Sequence, residues 1–280
     1  MPLYALIQHH AREGYKSQMI AANNIINSFF MVLTSVLAIV ILSGFEASLQ
    51  QFFTLLLVMQ ILITAYSLYK IPRFILYLLA KLIAFLGYRV KISGQEHIPK
   101  QGAAILICNH LSYMDAIILL ASIRRPVRFV MYYKIFDLAG LNWVFRGVHA
   151  IAIAGRKEQP QVFRQALKSV DDALINGELV MIFPEGKISQ DGEIDVFKRG
   201  VELMLRKRPV PIIPMALDNL WGSFYSHKNG LFKGWPRHYR PKVFLTIGAA
   251  LAPDTKVEHM QAVVQQLKNQ TSAKNEKTPF

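Results

Sequence analysis

Two long runs without a charged residue lie near the start of the chain, Ala21 to Gly44 and Ala47 to Tyr69. Each exceeds the roughly 20 residues that a helix needs to cross a bilayer core. Only Phe45 and Glu46 separate them, so they predict a transmembrane helical hairpin with a tight turn near Gly44. A pair of buried core helices is the competing reading, but consecutive uncharged runs of this length are rare in soluble folds. A cleaved signal peptide does not fit, because the uncharged run is too long for an apolar signal core and begins twenty residues in.

Residues 71–88 are again apolar, interrupted by Arg73 and Lys81. Eight positions turn a helix by about 800°, which puts the two charges within roughly 80° of each other on one side. This predicts an amphipathic helix that lies either in the membrane interface or against the domain that follows, with Pro72 in its first turn.

Beyond it the pattern alternates. Strands are predicted near Tyr88–Ser93, at Ala103–Cys108, Val127–Tyr132, Gly147–Ala154, Leu179–Phe183, Val210–Ala216 and Val243–Gly248. Helical spacing follows Ser112 and covers Gln161–Ile175, Lys198–Leu205 and Val257–Leu267. Strands alternating with helices argue an α/β domain with a largely parallel central sheet flanked by helices. The expected division is 1–70 hairpin, 71–88 interfacial helix, 89–268 α/β domain and 269–280 flexible polar tail.

Charge adds an orientation. Arg12 and Lys16 precede the first span, and Lys70, Arg73, Lys81, Arg89 and Lys91 follow the second. Both flanks are therefore expected on the cytoplasmic side of an inner membrane, with the α/β domain in the cytoplasm. Cys108 is the single cysteine of the 280 residues, which excludes an internal disulfide and suits a reducing compartment. The net charge of +14 calls for an anionic partner. Without a zinc ligand set, a basic helix or an RNA-type aromatic motif, membrane headgroups fit better than nucleic acid.

Two stretches carry candidate chemistry. CNHLSYMDA at 108–116 ends a predicted strand and opens a helix; FPEGKIS at 183–189 ends another. In such sheets, reactive groups collect at the C-terminal ends of strands. A histidine with a pKa near 6.5 accepts a proton at neutral pH, and a carboxylate on its other ring nitrogen fixes the tautomer. With Ser112 as N-cap, Asp115 falls in the helix's first turn, within reach of His110. The spacing alone is common, and taken by itself it is better explained by a strand-end histidine beside a helix-start aspartate.

The combination is more specific. NHLSYMD at 109–115, FPEGKIS at 183–189, VFKRG at 196–200 and VPIIPMAL at 210–217 stand in the order and near the spacing of the glycerolipid acyltransferase family, which this chain resembles over residues 72–255. That family includes 1-acylglycerol-3-phosphate and lysophospholipid acyltransferases. The resemblance implies that His110, held by Asp115, deprotonates a glycerol hydroxyl for direct attack on an acyl thioester, with no cofactor or metal. Acyl-CoA or acyl carrier protein is the implied donor, and a membrane lysophospholipid the acceptor. It also implies acceptor binding by Glu185 and Gly186, a phosphate contact from Lys187, a hydroxyl donor in Ser189, and a turn-holding role for Asn109. The arginine of the family's second motif arrives late here, as Arg156 in GVHAIAIAGRKE, where His149 is read as structural. EGKIS in place of Glu-Gly-Thr-Arg-Ser is more similar to 2-acylglycerophosphoethanolamine acyltransferases. Residues 1–70 resemble the last helices of a major-facilitator transporter, as in fusions with this acyltransferase type, and imply an anchor. The rival reading is a non-catalytic lipid-binding remnant of such a fusion.

Overall fold

The computed structural model describes residues 16–45, 48–70, 72–138, 140–220 and 240–276. The chain divides into two compact units, 1–70 and 71–280. In the first, helix α1 (Lys16–Ile39) runs into a π-helical turn (Val40–Gly44), and helix α2 is Leu49–Lys70. The segments Ser17–Gly44 and Leu49–Ser67 are each long and apolar enough to cross a bilayer, and neither is buried by the rest of the chain. A core helix would be mostly buried, so this exposure suits membrane spans. Polar groups inside them are satisfied locally: the hydroxyls of Thr34, Ser35, Thr54 and Ser67 each donate to the carbonyl four residues back. In hydrocarbon, such internal pairing is what makes a hydroxyl tolerable. Glu46 and Arg12, which the sequence reading used for the turn and the flank, lie outside the described residues.

The second unit is built on a seven-stranded sheet of β1 (Arg89–Ser93), β2 (Ala104–Cys108), β3 (Val127–Tyr132), β4 (Ile151–Ile153), β5 (Leu179–Ile182), β6 (Ile212–Asp218) and β7 (Lys242–Ile247). The spatial order is β1-β7-β6-β2-β5-β3-β4. Every pairing is parallel except β6 with β7, so the sheet is largely parallel. Helices α3 (Pro72–Gly87), α4 (Asp115–Ser122), α5 (Tyr133–Phe136), α6 (Asn142–Gly147), α7 (Pro160–Ile175), α8 (Gly200–Lys207) and α9 (Val257–Glu276) complete it.

The central strand explains the layering. All five residues of β2 are buried, and successive side chains point to opposite faces. Leu106 and Cys108 enter a core with Leu76, Ala80, Ile118, Leu119 and Met215, whereas Ile105 and Ile107 enter one with Val170, Val201, Met204 and Met260. A strand covered on both faces reads as a continuous apolar run, which is why it was legible. Burying each of its large side chains contributes about 1.5–3 kcal/mol.

Of the two placements expected for residues 71–88, the structure shows packing against the domain that follows: α3 buries Leu76, Ala80 and Ala84 and belongs to the α/β unit. Three expectations need correction. The stretch from Gly147 forms only the three-residue β4, since Asn142–Gly147 is helical and His149 turns the chain at φ 57°. Helix α4, which follows β2, starts at Asp115 with Met114 as its N-cap residue; the Ser112 hydroxyl accepts from Met114 N–H ahead of the helix. Finally, Asn269–Glu276 is no free tail. It extends α9, with Lys268 and Thr271 buried and the Ser272 hydroxyl donating to Asp218 at 2.9 Å.

Candidate active site

Strands β2 and β5 are hydrogen-bonded neighbours with Ile107 opposite Ile182, so the residues after them emerge side by side. Asn109, Asp115, Glu185 and Ser189 are all buried at that edge. Asn109 bonds Leu217 in both directions: its amide donates to the carbonyl at 2.9 Å and its oxygen accepts the N–H at 2.8 Å. The side chain thereby continues the β2–β6 ladder one step beyond Cys108 and sets the exit direction of the chain. The Cys108 thiol is fully buried, and burial pushes its pKa well up, as do Asp115 and Glu185. It is a core residue, not a nucleophile.

The chain then turns back toward α4. His110 Nδ1 lies 2.8 Å from Asp115 Oδ2, and the same oxygen accepts the N–H groups of Leu111 at 2.6 Å and Ser112 at 2.9 Å. Asp115 is the first residue of α4, where the helix dipole also favours negative charge. A carboxylate held by two backbone donors is fixed in place, and it assigns the Nδ1 proton. Nε2 is then the basic nitrogen. The imidazole stacks on Phe183, with centroids 4.1 Å apart and planes 14° from parallel. Its side chain remains 18% exposed, so a substrate can reach it.

The second stretch grips the first. Glu185 Oε1 accepts His110 N–H at 2.8 Å, and Ser189 N–H donates to the His110 carbonyl at 2.8 Å. The other carboxylate oxygen of Glu185 accepts Asp195 N–H at 3.0 Å. Burial raises the Glu185 pKa, against the lowering from those two N–H bonds. NHLSYMD and FPEGKIS therefore belong to one site, joined through backbone. Gly186 turns the loop at φ 67°, and a Cβ there would stand 2.5 Å from Lys198 Nζ. The Lys187 ammonium pairs with Asp195 at 2.6 Å on the surface, which raises the lysine's pKa and lowers the aspartate's.

Among the residues singled out from sequence, the structure brings together Asn109, His110, Asp115, Glu185, Gly186, Lys187 and Ser189. Glu185 differs from expectation in its surroundings: it is 1% exposed and both oxygens are engaged by backbone donors. The Ser189 hydroxyl donates its proton to Asp191 at 3.0 Å and accepts Gly192 N–H at 2.9 Å, so it shapes the loop. Arg156 is exposed in the turn after β4, at the end of the sheet order three strands from β2. Sequence reading gave no role to Phe183, Asp195 or Lys198; the signals were the aromatic that opens FPEGKIS, the polar loop before VFKRG, and the lysine inside VFKRG itself.

The acyltransferase family profile matches residues 89–218. A chloroplastic 1-acyl-sn-glycerol-3-phosphate acyltransferase from Arabidopsis thaliana is 29% identical over 149 residues, 53% of this chain and 41% of that protein. Namesakes from Borreliella burgdorferi and Pseudomonas aeruginosa are 27% and 26% identical, over 52% and 61% of this chain and 57% and 61% of theirs. The chain thus spans about half the length of the curated relatives it matches. The crystal structure of the 1-acyl-sn-glycerophosphate acyltransferase from Thermotoga maritima has the same fold, with a TM-score of 0.53 and 22% identity over 93% of this chain and 98% of that one. The site assembled at the ends of β2 and β5 lies wholly inside residues 89–218, the segment that is similar to the acyltransferase family.

Proposed function

We propose that this chain is a membrane-anchored O-acyltransferase, moving a fatty acyl group from acyl-CoA or acyl carrier protein to the free hydroxyl of a lysophospholipid or acylglycerol phosphate. The observation that carries the proposal is the 2.8 Å His110–Asp115 contact on an imidazole that remains 18% exposed. His110 Nε2 takes the proton of the acceptor hydroxyl as its oxygen attacks the thioester carbonyl. The resulting imidazolium is stabilised by Asp115, collapse of the tetrahedral intermediate breaks the C–S bond, and the proton passes from His110 to the leaving thiolate. No acyl-enzyme forms. Asn109 and Glu185 act by holding the two loops, while Lys187 and Lys198 are the cations offered to an acceptor phosphate; Arg156, three strands away, is not assigned this role. EGKIS resembles the motif of 2-acylglycerophosphoethanolamine acyltransferases, whereas the similar proteins are named 1-acyl-sn-glycerol-3-phosphate acyltransferases, so both acceptors belong in the test.

The transporter-like residues 1–70 serve as the anchor, with the domain on the cytoplasmic side of the inner membrane. An anchored enzyme meets acceptor and product in the bilayer and avoids extracting either into water. The test is transfer from labelled acyl-CoA or acyl carrier protein to a panel of lysophospholipids by membranes carrying this chain, beside His110→Ala. A product that depends on His110 and a loss of about 10²–10⁴-fold in the variant are expected. The variant should stay in the membrane fraction. Product formation undiminished in His110→Ala removes the mechanism, and silence with both donors favours a lipid-binding remnant.

A further inference from the structure

Helix α9 lies beyond the segment similar to the acyltransferase family, yet it grips a loop of the candidate site. Lys268 is buried, and its ammonium donates to the Gly192 carbonyl at 2.7 Å and to the Glu193 carboxylate at 3.1 Å. Gln261 stands about two helical turns earlier on the same face. Its side-chain oxygen accepts the Phe197 N–H at 3.1 Å. Two α9 side chains thus hold the loop on either side of Asp195. That residue donates its N–H to Glu185 at 3.0 Å, and its carboxylate pairs with Lys187 at 2.6 Å.

Burying an ammonium costs free energy that an apolar side chain in the same place would not incur. Glu193 is itself 73% exposed, so solvent screens that ion pair and it recovers little. What the cation achieves is direction: it ties a carbonyl of an irregular loop to a helix 76 residues further along the chain. Packing alone needs no charge at Lys268. We propose that Lys268 and Gln261 are positioning residues for acyl transfer, holding loop 189–197 so that Asp195 fixes the Lys187 ammonium. The role falls on the acceptor side, because a loosened loop scatters the cation offered to the acceptor phosphate and leaves the donor thioester untouched. It depends on the acyl transfer proposed above, and the experiment tells the two apart.

The test is steady-state transfer by the full chain in mixed micelles, with acceptor and donor varied separately. Lys268→Met keeps the bulk and removes the charge. Acceptor KM should rise about fivefold or more, with donor KM and kcat within about twofold of the unmodified chain. Gln261→Leu should do the same, whereas Gln261→Glu retains an oxygen for the Phe197 N–H and should keep the acceptor KM near its original value. An unfolded fraction lowers apparent kcat and leaves both KM values in place, so this split separates positioning from stability. The Gln261 pair carries the test if Lys268→Met does not fold. Unchanged acceptor KM in Lys268→Met and Gln261→Leu, or an equal rise for the donor, overturns the positioning role and leaves acyl transfer standing. No His110-dependent product from the unmodified chain overturns acyl transfer, and the positioning role with it.

Discussion

Glu185 accepts the backbone N–H of His110 at 2.8 Å, across 75 residues of sequence, and so couples the position of the proposed base to the loop that carries Lys187. The two motifs need each other for geometry as well as for chemistry. Replacing Glu185 by Gln keeps one acceptor oxygen but sets an amide donor against one of the two N–H groups. We expect kcat to fall at least tenfold with little change in acceptor KM, and the melting temperature to drop, because an unsatisfied buried donor costs about 1–3 kcal/mol. Steady-state kinetics beside a thermal melt measure both. A change in acceptor KM alone would instead make Glu185 a substrate ligand.

Asp115→Asn preserves shape and removes charge. One Asp115 oxygen now serves His110, Leu111 and Ser112. An amide there loses the stabilisation of imidazolium and can present the wrong group to Nδ1. Transfer should fall by roughly 10² or more, since general-base catalysis itself supplies on the order of 10²–10⁴. Single-turnover rates with saturating donor isolate the chemical step, and near-normal turnover would leave Asp115 a structural cap.

Asn109→Ala should act on stability. Its side chain is fully buried and bonds both backbone groups of Leu217. Truncation strands two buried backbone groups at a cost of roughly 1–3 kcal/mol each. Denaturant unfolding of the solubilised protein would read the loss as a shifted midpoint at constant slope. An unshifted midpoint would mean that water replaces the amide.

Asp171 provides the pH test. Lys207 and Arg208 pair with it at 2.9 and 3.0 Å and hold its pKa below the ordinary value. A depressed folded-state pKa means stability that is present above the unfolded value, near 3.9, and lost as pH falls through the folded value. The melting-temperature gap between the protein and Asp171→Asn should therefore be open at neutral pH and close below about pH 4. A gap that persists in acid would assign the effect to packing.

The sequence by itself determined the order of elements and singled out His110 and Asp115, the pair proposed for catalysis. Ala104–Cys108 and Leu179–Ile182 were readable because strands buried on both faces must be apolar throughout, and helix α7 because its buried residues recur about one turn apart. His110 and Asp115 were readable because they are close in sequence, where local geometry limits the choices. Tertiary structure decided what depends on distant partners. That α3 packs on the sheet, and that α9 continues to Glu276 with Ser272 bonded to Asp218, follow from surfaces supplied far along the chain. The same holds for the site's inner frame. No local pattern announces that Glu185 will hold the His110 peptide, or that Asn109 will bond Leu217, 108 residues away. These contacts exist because adjacent parallel strands end at one edge, where buried N–H and C=O groups must find partners, and the nearest side chains of the right shape supply them.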